Sequence, residues 1–298
     1  MSFRSMKLEL GGFVPELNAI QCGLRINRSY ENLLDAHPWS FLNLETLVKL
    51  LAPTTAGNVD VTYGSAAVTG HSTAWTSALI GQYFRSSSNF AFYQITNVVG
   101  QVLTLETVYG EPTALAQGYS IFKHIYTKPT DCKHIRGLRY DYNMPSVPKM
   151  SIDTLDPERF STGQPVYYDD ISDTKFEVWP VPDANYTLRL WYRKSVADLA
   201  AETDVALLPE RLLVKHAQMS AYQQLAGTEQ GAARYMPLWQ AMTKDQGPDS
   251  FSTLWALALE EDSRKLNLPM TVRTLGYDIP MDNDYWLRHD PTDPRRYM

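Results

Sequence analysis

Apolar residues recur at spacings close to three and four between position 15 and about position 34. The residues of this stripe are Leu17, Ile20, Leu24, Tyr30 and Leu33. Such spacing predicts an amphipathic helix. The helix should end at His37, because the residue before a proline is pushed out of the helical region. The aromatic run that follows, residues 39–42, is predicted to be core, and residues 44–51 form a further short helical or extended piece.

The pattern changes between Gly57 and His124. Short segments rich in Val, Ile, Tyr, Phe and Thr alternate there with Gly, Ser and Asn clusters, which predicts strands separated by turns. The predicted strands are residues 59–63, 82–85, 92–98, 102–108 and 119–124. They indicate a small all-β module of about five or six strands. Because sequence of another type flanks it on both sides, we interpret the module as an insertion.

Further strands follow the module, at residues 166–168, 175–179 and 186–192. The proline-rich segment 180–185 predicts a hairpin turn between the last two.

The final third of the chain is predicted to be helical. Pro209 suits the first position of a helix, and Leu213, Ala217, Ala221 and Leu225 form a stripe that Gly227 closes. A second helix covers about 230–244 and contains Pro237, which should kink or interrupt it. A third helix, capped by Asp249 or Ser250, is expected to turn residues 254, 257 and 258 inward and the acidic residues 260–262 to water.

These elements predict an α+β protein: a helical bundle with a β-sheet layer and an inserted all-β domain. Residues 1–57 and 124–268 form the discontinuous helical and β core. Residues 58–123 form the inserted barrel or sandwich-like module. Residues 269–298 form an extended C-terminal arm, because no hydrophobic period is visible there.

Composition narrows the class of protein. The chain has 298 residues, 44% of them hydrophobic and 20% charged, as expected for one large or two modest globular domains. No apolar run of membrane-spanning length and no signal peptide is seen, so we expect synthesis in the cytoplasm and no membrane partner. Cys22 and Cys132 are expected to be free thiols. A net charge of -6 counts against an ordinary DNA-binding protein, although an acidic wall could let DNA slide past.

Candidate chemistry is sparse. No phosphate-binding loop, dinucleotide fingerprint, serine elbow or zinc-protease motif occurs, and no cofactor is expected. The spacing of His124, Cys132 and His134 matches no standard zinc site, so loop residues are the preferred reading. The acidic residues Asp169, Asp170, Asp173 and Glu177 could supply the paired carboxylates of a glycosidase, but a turn between two strands is the stronger reading for the first three. His216 has no nucleophile nearby.

Aromatic residues give two further candidates. Tyr63, Trp75, Tyr83 and Tyr93 in the β module could stack sugars, although cross-strand packing is the commoner use. The C-terminal arm is rich in the residue types that anchor interfaces. Its candidate residues for contact with a portal or a neighbouring subunit are Tyr285, Trp286, Arg288, Arg295, Arg296 and Tyr297. A tail that packs on its own domain is the alternative.

The order of the elements resembles phage head-to-tail adaptor proteins, also called connector or tail tubular protein A-like proteins. The resemblance lies in the opening helix with residues 39–41, the turn 179–183, the strand 186–193, the segment 204–209 and the following helix of small residues. The segments 68–75, 93–95, 103–105 and 119–121 look like a small β module found in several virion proteins.

This resemblance implies a structural protein of the virion neck and no catalytic residues. The implied assembly is a ring, usually of twelve copies, that joins the portal protein to the tail tube or nozzle protein, with genomic DNA passing through its lumen without specific binding. Residues 58–123 are then a candidate contact for fibre or collar proteins. A carbohydrate-binding or glycan-degrading virion protein is the alternative, and another neck or tail-completion protein is a further one.

Overall fold

The computed structural model describes residues 2–265, which fall into two compact units. One unit combines the residues up to Ser40 with those from Asp198 onward, and the other is Phe41–Ala197. The first is helical and the second is built mainly from antiparallel strands. The predicted α+β class is confirmed. The C-terminal arm and its six candidate contact residues lie outside the described residues.

The helical unit begins with two helices. Helix α1 is Phe3–Phe13, which the sequence reading missed, and α2 is Ala19–Ala36. Asn18 and Gln21 form a reciprocal capping box at the start of α2, which fixes where that helix begins. Tyr30 and Leu33 are buried as predicted, but Ile20 and Leu24 are exposed. In the first turns of α2 the buried residues are instead Cys22 and Ile26, so the predicted buried face was wrong there.

Three more helices complete the described part of this unit. They are α4, Glu210–Ala226; α5, Ala232–Lys244; and α6, Phe251–Lys265. Helix α4 contacts all four other helices of the unit and buries Leu213, Ala217 and Ala221, as its small-residue stripe predicted. Pro237 lies inside α5. None of the described helices is both long and apolar enough to cross a membrane.

The start and end of α6 give opposite outcomes. The Ser250 hydroxyl accepts a hydrogen bond from the Thr253 N–H at 3.2 Å, so the predicted N-cap is confirmed. Asp262, expected to face water, is buried and accepts a hydrogen bond from the Ser40 N–H at 3.0 Å. The fixed backbone donor supplies a local reason for burying this carboxylate.

The second unit contains a four-stranded antiparallel sheet. Its strands in spatial order are β1, Asn43–Leu50; β16, Tyr186–Lys194; β10, Cys132–Arg139; and β11, Asn143–Met144. Strands β1 and β16 pair without interruption from Asn43 opposite Arg193 to Leu50 opposite Tyr186. Residues 44–51 therefore take the extended alternative. Cys132, expected in a polar loop, lies on β10, and both cysteines are free and buried.

The second unit also contains two smaller sheets and a short helix. The three-stranded sheet has the order β13, Tyr167–Ser172; β14, Lys175–Trp179; and β9, Ile125–Thr127. Strands β12, Thr162–Gly163, and β15, Val181–Pro182, pair in parallel, and helix α3 is Lys149–Leu155. The predicted hairpin at 180–185 is wrong, because β14 pairs with β13 and β9 while β16 pairs with β1 and β10. Phe176 and Leu188 enter one shared core, so the chain crosses between sheets.

The predicted β module contains a seven-stranded antiparallel sheet, two strands more than the five ranges read from the sequence. In chain order its strands are β2, Asn58–Val61; β3, Ala67–His71; β4, Tyr83–Ser86; β5, Tyr93–Val99; β6, Val102–Leu105; β7, Ala114–Gln117; and β8, Tyr119–Phe122. The spatial order runs β7-β2-β3-β6-β5-β4-β8. The two edge strands β7 and β8 are separated in sequence by Gly118 alone, so the sheet must curl until its edges meet. Its interior is filled by buried Val, Leu, Ile and aromatic side chains.

Candidate functional site

The acidic residues singled out from the sequence are divided between two adjacent strands. Asp169 and Asp170 lie on β13, Asp173 lies in the turn after it, and Glu177 lies on β14 directly opposite Asp169. Residues that face each other in an antiparallel pair project from the same side of the sheet. The structure therefore places Asp169 and Glu177 on one face, whereas Asp170 forms an ion pair with Lys128.

Glu177 is fully buried and belongs to an ion-pair network. Its Oε1 accepts a hydrogen bond from Arg159 Nε at 2.6 Å and lies 3.8 Å from His124 Nε2, and its Oε2 lies 3.9 Å from Lys149 Nζ. Arg159, itself 2% exposed, also pairs with Asp153. Burial alone would lower the pKa of Arg159, but the hydrogen bonds to Glu177 and Asp153 reverse the sign and raise it.

His124 is held neutral in this environment. Burial lowers its pKa to about 3, and the positive charges of Arg159, Lys149 and Arg85 act in the same direction. Its ring packs 4.5 Å from the ring of Tyr83 and within 6 Å of Phe92 and Phe122. With so low a pKa, this histidine is a weak base at neutral pH.

The loop after α3 is shaped to present Arg159 to Glu177. The side chain of Asp156 accepts hydrogen bonds from the N–H groups of Phe160 and Ser161, both at 2.8 Å, and from Trp179 Nε1 at 3.2 Å. Arg159 adopts a positive φ of 53°, which is uncommon for a residue with a side chain. The buried residues Glu177, Arg159 and neutral His124, together with the half-exposed Lys149 and Asp153, are named the buried ion-pair network below.

Arg85 connects this network to the β module. It lies on β4, is buried, and donates hydrogen bonds to the main-chain oxygens of Arg159, at 3.3 Å, and Glu158. Its guanidinium lies 4.2 Å from the ring centre of Phe160 and 4.7 Å from that of Phe122, within cation–π range. Sequence reasoning missed Arg85, Lys149 and Arg159, because a single basic residue gives no local sign that it will lie close to a buried carboxylate.

The other sequence candidates are not brought together. Cys132 and His134 lie on β10 while His124 belongs to the buried ion-pair network, and no group of three or more metal-ligating side chains occurs within residues 2–265. Burial lowers the pKa of His216, whose ring lies 5.4 Å from that of Phe251.

Three of the four aromatic candidates of the module pack against other side chains. Trp75 is buried and donates a hydrogen bond from Nε1 to the Tyr119 hydroxyl at 3.0 Å. Tyr93 packs against Tyr109, and Tyr83 packs against His124. Of the four candidates only Tyr63 is largely exposed, so they do not form a shared sugar-stacking surface.

Exposed apolar side chains occur on helices of both units as well as on strands and loops. In the helical unit they include Leu8 and Phe13 on α1 and Ile20 and Leu24 on α2, and in the second unit they include Met150 and Leu155 on α3. Met150 and Leu155 line a shallow groove with Pro148. Large apolar side chains that stay in water on successive turns of a helix are typical of surfaces that meet other proteins.

The described residues thus form a mixed α+β chain in which two candidate carboxylates, Asp170 and Glu177, are engaged in ion pairs and several helices keep apolar side chains exposed. Such exposed side chains suit a protein that assembles with others. The family model described as SU10 adaptor protein matches residues 75–273, about two thirds of the chain. The chain therefore belongs to the SU10 adaptor protein family and is an adaptor-type component of a phage virion. No curated protein matches the chain.

Proposed function

We propose that this chain is one subunit of a ring in the virion neck that joins the portal protein to the tail tube or nozzle protein. Membership of the SU10 adaptor protein family is the observation that carries the proposal. The exposed apolar residues on α1, α2 and α3 support the proposal, because a ring subunit needs surfaces that are exposed in the single copy and become buried against its neighbours. A closed ring of identical copies, twelve in our proposal, multiplies weak contacts into a stable assembly.

Genomic DNA passes through the lumen of the proposed ring. The C-terminal residues Tyr285, Trp286, Arg288, Arg295, Arg296 and Tyr297 anchor each subunit to the portal or to its neighbour. Tyrosine, tryptophan and arginine are the residue types most often found at the energetic centres of interfaces, which supports this assignment. Residues 58–123 are the proposed contact for fibre or collar proteins.

Electron microscopy of the purified chain mixed with its portal tests the ring. The expected result is a ring of added density at one end of each portal, and portals without added density would contradict the proposal. Deleting residues 276–298 should remove the added density and leave thermal unfolding of the chain unchanged. Normal docking of the truncated chain would show that the anchor lies elsewhere.

A further inference from the structure

The four-stranded sheet has two chemically opposite faces. On one side Leu138, Leu188 and Leu190 are buried in the core of the second unit. The residues directly opposite one another on the other side are Arg193 with His134, Trp191 with Gly137, and Arg189 with Arg139. Residues paired in this way project from the same side of a sheet, so these polar side chains share the face turned away from the core.

The charge on this sheet is opposite in sign to that of the whole chain. Its strands carry seven Lys and Arg residues and a single acidic residue, Glu45, whereas the whole chain has 27 basic and 33 acidic residues. We define the basic face by His134, Arg136, Arg139, Arg189, Trp191 and Arg193. The side chain of Arg189 remains 62% exposed even though it lies 3.5 Å from Glu45. His134, Arg136 and Arg139 are also exposed.

Like charges are crowded on the basic face. Burial and the neighbouring charge of Arg193 both lower the pKa of Arg136. Burial, Arg136, Arg193 and Lys133 likewise lower the pKa of His134, with Asp170 acting weakly in the opposite direction. These shifts show that the basic side chains lie close enough together to influence one another's charge.

Trp191 adds a flat contact surface between the arginines. A Cβ atom at Gly137 would lie 4.0 Å from the Trp191 ring, an ordinary van der Waals distance, so the indole lies beside Gly137 of the neighbouring strand. Trp191 Nε1 donates a hydrogen bond to Glu45 Oε2 at 3.0 Å, which fixes the orientation of the ring. Residues four apart on a strand are roughly 13 Å apart, so Arg189 and Arg193 flank the tryptophan as two separated cationic groups.

We propose that the basic face binds the phosphate backbone of double-stranded DNA without reading its sequence. Arginine guanidinium groups match phosphate geometry, and a duplex supplies closely and regularly spaced negative charges. The centre of a protein–protein interface is usually depleted of charge and rich in apolar area, whereas the apolar side chains on this side of the sheet are Trp191 and Leu47. This DNA contact rests on the proposed function in one respect only, which is that the bound DNA is the phage genome.

The acidic remainder of the chain sets the strength of this contact. Because the net charge is -6, long-range repulsion opposes the local attraction at the basic face. Binding by one copy should therefore be weak and steeply dependent on salt. A weak, sequence-independent contact is compatible with DNA that must slide past.

Fluorescence anisotropy of a labelled mixed-sequence duplex, titrated with the full-length chain between about 50 mM and 200 mM salt, tests the proposal. The test variant combines Arg136→Gln, Arg139→Gln and Arg189→Gln. The matched control combines Arg4→Gln, Arg28→Gln and Lys244→Gln, which are exposed on α1, α2 and α5 and change the net charge equally. Circular dichroism confirms that both variants fold.

We expect the test variant to bind at least about tenfold more weakly at low salt and to reduce the slope of log K against log salt by about 2 to 3. The control should change the affinity by less than about twofold. Its three charges lie away from the basic face, and salt screens their attraction to the duplex over such distances. Equal losses in the two variants, or no binding of the duplex by the wild-type chain at low salt, would overturn the proposal. Binding of poly-L-glutamate without binding of the duplex would also overturn it and would identify an acidic protein as the partner.

The two proposals fail in different ways. A chain that binds the duplex through the basic face but adds no density to portals refutes the adaptor position alone. A chain that docks on portals with a duplex affinity unaffected by the three substitutions refutes the DNA contact alone.

Discussion

The two largest sheets of the second unit differ in how they use their surfaces. The seven-stranded sheet curls around an apolar interior, and its strands carry two charged residues other than histidine, Asp60 and Arg85. The four-stranded sheet is apolar on one face and basic on the other. A curled sheet turns one face inward and brings its edges together, whereas an open sheet keeps a face available. The comparison shows that the first sheet closes on its own apolar core, whereas the second keeps one charged face outside its core.

The largest expected effect is on a tryptophan inside the curled sheet. Trp75→Ala should lower the free energy of unfolding by about 4 kcal/mol, because it leaves a cavity and removes one of the two hydrogen-bond partners of the Tyr119 hydroxyl. Trp191→Ala on the open sheet is the matched control and should cost about 1 kcal/mol or less, since its ring is partly exposed. Chemical denaturation of both variants checks this, and equal losses would contradict the contrast between the two sheets.

The next effect concerns buried and exposed arginines. Arg159→Ala should cost about 3 kcal/mol, because it leaves Glu177 buried without its main partner. Arg189→Ala removes an exposed arginine that also faces a glutamate and should change stability by less than about 1 kcal/mol. The double variant Arg159→Met, Glu177→Leu should recover most of the loss in urea unfolding. If it does not, the two side chains stabilise the fold through something other than their mutual neutralisation.

Acid should weaken the chain through His124. Its pKa is about 3 when folded and about 6.5 when unfolded, so in that interval the unfolded chain binds the proton more readily. The contribution of neutral His124 to the free energy of unfolding is fully present above about pH 6.5. It decreases as the pH falls toward the pKa of the folded state, by up to about 1.4 kcal/mol per pH unit. His124→Phe, which suits the aromatic surroundings, should flatten the urea-unfolding profile between about pH 6 and pH 4.

Asp156→Asn serves as the control for that profile. Burial would raise the pKa of Asp156, but the N–H groups of Ser161 and Phe160 outweigh it and the pKa is lowered. Stability from this carboxylate is present above about pH 3.9 and decreases only below it. The variant should therefore lower stability while keeping the wild-type slope between about pH 6.5 and pH 5. A flattened slope would show that His124 is not the titrating group.

The smallest effect is expected on the exposed side of β1. Leu47→Thr should change stability by less than about 0.5 kcal/mol, because the leucine is 61% exposed and threonine suits a strand. Leu190→Thr on the core face of neighbouring β16 should cost about 2 kcal/mol or more. Thermal unfolding of the two variants measures the difference between the faces. A large loss at Leu47 would indicate that this side of the sheet is covered.

The sequence alone determined the class of the fold and the type of most elements. Segments rich in β-branched and aromatic residues between turn residues located the β module, and a stripe of small residues located helix α4, because both signals depend on residues close together in the chain. Ser250 and the aromatic core residue Trp39 were also readable, since capping and large buried rings are local or compositional signals. The resemblance to adaptor proteins came from the order of such elements.

Only the tertiary structure decided which polar residues are buried and which face of a sheet is charged. Arg159, Glu177 and His124 are distant in sequence, and their partnership depends on how α3, β9 and β14 are placed. The turn at 180–185 looked like a hairpin because strand length and turn composition do not reveal which sheet a strand joins. The basic face arises from the pairing of β10 with β16, a long-range register that no local spacing encodes.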